Sequence, residues 1–325
     1  MGFTLLKLPY LVQRLALGQM ERMELFDLTL MSPILADAAS TLHLPVSNFH
    51  VLISETSMRI DCTMRGLNNR NVKITFAIDK VPSNTMHRTL NGRSIQVRRS
   101  GKTFTLKAGK DHEENLAILD ALSKHLLRIL RVQSFNVNST VNIFGTSIFK
   151  NTRKFSKVQL TQHDLTVEQT RHLLETLEID DLVLSYTGPK CRKGPEDFEL
   201  KHRIMELGNV DWLSFKSILT TKCEILRFDR MNHMTQKDFS EIFRTWANGG
   251  FENLKEVRCK VPFIWESSDW DHTYVYREDV YKSFEEMDIT VVKATRDGDR
   301  KTLQRKCDGK KAELHFVNNF KFVVL

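Results

Sequence analysis

The chain has 325 residues, 41% of them hydrophobic and 27% charged, with 14 Gly and 7 Pro. That length suggests about two domains, and that composition excludes a collagenous, low-complexity or membrane-embedded protein. Lys+Arg number 48 against 40 Asp+Glu, a net charge of +8, so the location of the surplus decides whether an anionic partner is implied.

No stretch reaches the roughly 18 apolar residues of a membrane span, which predicts a soluble protein. The opening MGFTLLKLPYLVQRLALG is interrupted by Lys7, Gln13 and Arg14 and lacks a cleavage site, and Leu6 stands where myristoylation needs Ser or Thr. Five scattered cysteines (Cys62, Cys191, Cys223, Cys259, Cys307) contain no CxxC pair, so neither a disulfide framework nor a metal site is expected. A reducing cytoplasmic and/or nuclear location fits.

In chain order, Leu5, Leu8, Leu11, Val12, Leu15 and Ala16 recur at helical spacing, and a break at Gly18 follows. Met20, Met23, Leu25, Phe26, Leu28 and Leu30 form a second helix with early acids Glu21 and Glu24, and Ser32-Pro33 starts a third. Three helices this short bury too little to stand alone. From Phe49 to Leu106 the period falls to two, with turn signals at Gly66 to Asn69, at Asn91-Gly92 and at Ser100 to Lys102, which predicts short antiparallel strands. Leu116, Leu119, Leu122, Leu126 and Leu130 then place a helix over about residues 111 to 131.

The second half alternates strand and helix. Strands are read at 157–160, 181–184, 224–228 and 254–258, with helices after Thr166 and Thr235, the latter ending at Gly249-Gly250. The gap between Leu184 and Leu226 calls for an extra strand around Val210 to Phe215. Repeated βα units of this kind predict an irregular leucine-rich-repeat-like stack. From Ile289 the two-residue alternation returns, with Leu314, Phe316, Phe320, Phe322 and Val324 in terminal strands.

Catalytic signatures are missing: there is no GxSxG elbow, no GxxxxGK[ST] or GxGxxG loop and no HExxH helix, so no cofactor and no metal are expected. His163 beside Asp164 and His233 beside Met234 read as surface histidines, and Asp269, Asp271 and His272 lack the glycine and spacing of a calcium loop. One segment is strongly basic: Arg88, Arg93, Arg98, Arg99, Lys102, Lys107 and Lys110 lie in a run, 81 to 110, without a single acid. No interleaved aromatic platform accompanies them, as a single-strand binder would want, which makes nucleic acid an unlikely partner.

The opening LLKLPYLVQRLALGQMERMELFDLTLMS resembles an F-box of the nematode type, through Leu8-Pro9, Leu11-Val12, Leu17, Met20, Glu24-Leu25-Phe26, Leu28 and Leu30-Met31-Ser32. It departs from that pattern at Glu21-Arg22 and Pro33-Ile34. The later CEILRFDRMNHMTQKDFSEIFRTWANGGFENLKEVRCK is similar to the type 2 F-box associated region, through Leu226, Thr235, Asp238, Phe239, Phe243, Trp246, Gly249-Gly250, Asn253-Leu254 and Val257, and the last eighteen residues are similar to that family's terminal strands.

The resemblance implies a non-catalytic substrate-recognition subunit of an SCF-type cullin-RING ubiquitin ligase. A Skp-type adaptor, and through it a cullin, would be held by Leu8, Pro9, Leu11, Val12, Leu17, Leu25 and Leu28. An unknown protein substrate would be held by the rest, with Phe263, Trp265, Trp270, Tyr274 and Tyr276 as candidate anchors. The alternatives are a ligase-independent interaction scaffold and a nucleic-acid binder using the basic segment. The expected fold class is α+β passing into α/β, with a three-helix F-box at 1–45 and an associated, leucine-rich-repeat-like domain at 46–325. Within the latter, antiparallel strands occupy 46–110, a helix and connection 111–156, βα repeats 157–288 and a strand cap 289–325.

Overall fold

The computed structural model describes residues 8–65, 70–80, 84–161, 165–185, 195–230, 236–259, 284, 286–294, 300–315 and 320–325. Its elements are mixed α and β, and the chain divides into two compact units, Met1–Ser156 and Lys157–Leu325. Residues 8–45 share the first unit with the strands that follow them.

The first unit starts with α1 (Tyr10–Gly18), α2 (Arg22–Met31) and α3 (Pro33–Ser40), with Pro33 in the first turn of α3. Strands β1 (Leu44–Ile53), β2 (Met58–Arg65) and β3 (Asn71–Asp79) form an antiparallel meander. Two further antiparallel pairings join β4 (Met86–Leu90), β5 (Arg93–Ser100) and β6 (Thr103–Lys107). The tight turns work as their residues dictate, since Asn91 and Gly92 both have positive φ (48° and 82°), the mirror-image geometry that matches strand twist.

The expectation of purely antiparallel pairing needs correction, because β6 runs parallel to β3. The β4–β5 hairpin lies outside β6, which brings the returning strand alongside β3 in the same direction. A second parallel pairing follows α4 (His112–Ile129), an 18-residue crossover capped by the Asp111 carboxylate, which accepts the Glu114 N–H at 2.8 Å. It delivers β7 (Leu130–Val132) and β8 (Phe135–Ser139) alongside β1, so Leu130, expected as a helix residue, opens a strand.

Helix α4 buries Leu119, Leu122, Leu126 and Ile129 against β2 and β3, and α2 lies beside β4. Phe26 of α2 stands edge-on to Phe76 of β3 at 5.5 Å, and Phe76 stacks on Phe104 of β6 at 5.1 Å. Arg88 of β4 pairs with Asp27 at 2.8 Å, Arg128 of α4 pairs with Asp37, and His125 of α4 contacts the Thr29 hydroxyl at 3.2 Å. The sheet and α4 thereby supply the apolar surface that three short helices lack on their own.

In the second unit β9 (Lys154–Thr161) pairs with β10 (Glu178–Ser185). Between them lie α6 (Val167–Arg171), opened by a reciprocal Thr166/Gln169 capping box, and a π-helical turn, His172–Thr176; α5 (Ser147–Asn151) closes the first unit. Then β11 (Ile204–Asn209), α7 (Phe215–Leu219), β12 (Ile225–Arg230), α8 (Gln236–Ala247) and β13 (Glu256–Cys259) follow, each strand parallel to the one before. Strands β14 (Ile289–Ala294), β15 (Arg300–Arg305), β16 (Lys311–His315) and β17 (Phe320–Val324) form an antiparallel meander whose last strand pairs antiparallel with β13.

The extra strand expected around Val210 to Phe215 is β11, six residues earlier. Val210 and Trp212 are buried at strand-like spacing and Leu213 beside them is buried too, but the segment forms a turn: the Trp212 indole N–H donates to the Asn209 carbonyl (2.7 Å), and Ser214 caps α7.

Cross-strand register makes the core regular. Leu182, Met205, Leu226, Val257 and Phe322 form one buried row, and Leu184, Leu207, Phe228, Cys259 and Phe320 the next. Phe239, Ile242, Phe243 and Trp246 of α8 pack on these rows, with Phe243 edge-on to Phe322 at 5.5 Å and Trp246 at 5.3 Å from the same ring. Gly249 (φ 87°) ends α8, its N–H bonded to the Trp246 carbonyl at 3.1 Å.

Candidate functional site

Both units carry an exposed surface with the character of a binding face. In the first, α1 presents Tyr10, Leu11, Val12 and Leu15 to solvent, with Leu11 64% and Leu15 62% exposed, and Met31 and Ile34 are exposed at the α2–α3 junction. Leu11 and Leu15 are one helical turn apart and lie on the same face. Each such side chain left in water forgoes about 1.5 kcal/mol or more of transfer free energy, so a partner that covers the row gains from every one.

The residues expected to hold an adaptor divide by burial. Leu11 and Val12 are on the exposed row, Pro9 caps α1 and is exposed, and Leu8 and Leu28 are half-buried. Leu17 and Leu25 are fully buried, so they support the helices from inside and offer nothing to a partner directly. Helical periodicity finds the apolar stripe, Leu15 included, but not which part of it faces inward, and the residues carried over from the family resemblance leave out Tyr10 and Leu15.

The second surface is the face of the parallel strands opposite the buried rows. Register aligns Val183, Glu206, Arg227, Arg258 and Lys321 across five strands, and Ile204, Ile225 and Glu256 in the row beside them. Arg227 bridges two carboxylates, Glu206 at 2.5 Å and Glu256 at 2.9 Å, and Lys321 approaches Glu256 at 3.4 Å. Hydrogen bonding to Glu256 raises the Arg227 pKa, against partial burial and with help from Glu206. Burial pushes Glu256 up, but the Arg227 hydrogen bond and charge, with Lys321, outweigh it and hold the carboxyl below its usual range.

A cleft of about 270 Å³ opens on this face, lined among others by Val183, Ser185, Gly208, Arg227, Asp229 and Arg258. Arg258 is exposed and has no ion-pair partner among the described residues. Half-exposed Val183, Ile204 and Ile225 beside a charged row give an apolar centre with a polar rim, a pattern suited to a protein segment. The charge ladder was missed because it appears only when strands are set in register; its sequence trace is the repeated charged–apolar step Glu206-Leu207, Arg227-Phe228 and Arg258-Cys259.

The buried thiols are unsuited to attack, since burial pushes Cys223 up to about 11 and Cys259 up to about 12. Among the described residues no group of three or more His, Cys, Asp or Glu is placed to hold a metal, and no helix is long and apolar enough to cross a membrane. The aromatic candidates Phe263, Trp265, Trp270, Tyr274 and Tyr276 lie outside the described residues, as do His163, Asp164, His233, Met234, Asp269, Asp271 and His272. In the basic segment Arg88 is committed to Asp27, while Arg93, Arg98, Arg99, Lys102, Lys107 and Lys110 are exposed.

Comparison with known families places this cleft in context. The model of a family described as F-box associated matches residues 197–259, the stretch from just before β11 to the end of β13 that carries most of the charged row. No curated protein and no solved structure matches the chain.

Proposed function

We propose that this chain is the substrate-recognition subunit of an SCF-type cullin-RING ubiquitin ligase. In this reading α1, α2 and α3 act as an F-box that docks a Skp-type adaptor, and through it a cullin. The βα units of the second unit act as a leucine-rich-repeat-like stack that holds a protein substrate on its open face. The chain contributes binding and no catalysis, and works in the cytoplasm or nucleus.

The observation that carries the reading is the combination of an F-box associated match at 197–259 with an uncovered apolar row on an N-terminal helix. An F-box associated domain accompanies an adaptor-binding element, and Tyr10, Leu11, Val12 and Leu15, with Met31 and Ile34, are exposed apolar residues available to form one. Substrate binding fits the β10–β13 face, where Arg258 and Ser185 offer polar contacts beside half-exposed aliphatic residues.

Tagged full-length chain should co-purify a Skp-type adaptor and a cullin from cells. Leu11→Asp combined with Leu15→Asp should abolish both, and Arg258→Glu should leave both unchanged. Intact chain that captures neither protein refutes the proposal.

A further inference from the structure

We infer that the β5–β6 hairpin of the first unit is a docking surface for an acidic protein segment, one rich in Asp and Glu, separate from the adaptor row and from the second unit's cleft. No Asp or Glu occurs between residues 81 and 110, so the hairpin carries no acid of its own. Arg88, on the neighbouring β4, is tied down by Asp27 at 2.8 Å, and Lys107 of β6 stands opposite Asp79 in the β3–β6 register. Arg93, Arg98, Arg99, Lys102 and Lys110 are exposed and have no ion-pair partner among the described residues.

The contrast within the molecule is instructive. In the second unit Arg171, Arg203, Lys216, Lys222, Arg227 and Lys255 each reach a carboxylate between 2.5 and 2.9 Å. Each of those six cations is matched by a carboxylate of its own unit, whereas Arg98, Arg99 and Lys102 of the hairpin have no such match among the described residues.

Their arrangement concentrates the field. Arg98 and Arg99 are successive strand residues and point to opposite faces, Arg98 opposite Thr105 and Arg99 opposite Phe104. Lys102 sits in the turn after Gly101 (φ 54°). From Arg98 to Lys102 the chain spans at most about 14 Å, within the screening length of about 30 Å at 0.01 M salt and beyond that of about 10 Å at 0.1 M, so the charges act together at low salt. On the open face Thr105 and Thr103 add hydroxyl donors beside Arg98, and a guanidinium fork pairs well with a carboxylate.

Acidic protein fits this surface better than nucleic acid. Single strands gain about 1–3 kcal/mol per base from stacking on aromatic rings. The hairpin's one ring, Phe104, and its neighbour Phe76 are fully buried on the helix-covered side of the sheet, so neither offers a stacking surface. Phosphate contact without a stacking platform gives the bases nothing to rest on.

The test uses full-length protein and fluorescence anisotropy with a labelled Glu-Gly-Ser repeat peptide, its Gln-Gly-Ser counterpart and oligo(U) RNA. The Glu peptide should bind more tightly than either of the others and weaken at least tenfold between about 0.05 and 0.3 M salt. The triple variant Arg98→Glu, Arg99→Glu, Lys102→Glu should lose at least tenfold in affinity with an unchanged thermal midpoint, while Arg258→Glu should bind the peptide as the parent does. Equal binding of the Gln peptide, tighter binding of oligo(U), or an equal loss from Arg258→Glu overturns the inference. Adaptor capture plays no part in this readout, so the inference and the proposed function fail separately.

Discussion

Acidification across the histidine range should loosen the first unit through one side chain. His125 is 5% exposed, and burial drives its pKa down to about 4 from an ordinary 6.5, with the Thr29 hydroxyl of α2 at 3.2 Å and the Asp37–Arg128 ion pair joining the same two helical layers. The folded chain therefore keeps the imidazole neutral where the unfolded chain takes up a proton. Stability from this group is complete above pH 6.5 and is lost as the pH falls from 6.5 to about 4. At about 1.4 kcal/mol per pH unit, that window is worth about 3 kcal/mol. Carboxylates titrate at its lower end, so the measurement is a difference between the parent and His125→Gln, whose amide stays neutral and reaches Thr29. Hydrogen exchange of peptides covering α2 and α4, followed against urea at pH 7, 6, 5 and 4.5, reports the first unit alone. The parent should lose about 3 kcal/mol more than the variant between the ends of the series; parallel profiles would refute the reasoning.

Three other substitutions probe how the units are held together. Phe26→Ala removes a fully buried ring that stands edge-on to Phe76, and should cost about 3–5 kcal/mol, read as lost exchange protection across α2; a cost below about 1 kcal/mol would contradict the packing described. In the second unit Arg305 holds the Asp308 carboxylate with two bonds of 2.6 Å, donates to the Trp246 carbonyl at 2.7 Å and lies over the Trp246 ring. Arg305→Met leaves that carbonyl without its donor at the end of α8 and should cost about 2 kcal/mol in urea unfolding followed by tryptophan fluorescence, since all four Trp lie in this unit. Gly250→Ala would place a methyl 2.6 Å from Thr245 Cγ2 and 2.8 Å from its carbonyl oxygen, and the same assay should show a loss of about 1 kcal/mol or more.

Much of the fold is legible because local chemistry is strong where it matters. Asp111 marks the start of α4, Asn91-Gly92 and Gly101 mark the hairpins, and Thr166 with Gln169 marks α6. What periodicity cannot carry is which element packs on which. The parallel β3–β6 pairing depends on the order of strands in the sheet, and the turn at Val210–Leu213 carries the apolar spacing of a strand while its backbone turns through the Asn209–Trp212 hydrogen bond.

The binding surfaces follow the same rule. Leu17 shares α1 with Leu11 and Val12, and Leu25 lies on α2; only packing within the unit, where α1 and α2 both meet α3, decides that Leu17 and Leu25 turn inward. The charged row of Glu206, Arg227 and Arg258 is scattered over more than fifty residues of chain and becomes a surface only through register. The basic hairpin, by contrast, is contiguous and was visible from its missing acids alone.

The account turns on whether the exposed row of α1 is the contact for a Skp-type adaptor. Isothermal titration of purified full-length chain with purified adaptor addresses it directly, with thermal midpoints measured alongside. The parent should bind with one-to-one stoichiometry, and Leu11→Asp with Leu15→Asp should weaken binding at least tenfold at an unchanged midpoint, because both side chains are in solvent. A parent that gives no binding heat, or a double variant that binds as tightly as the parent, would contradict it.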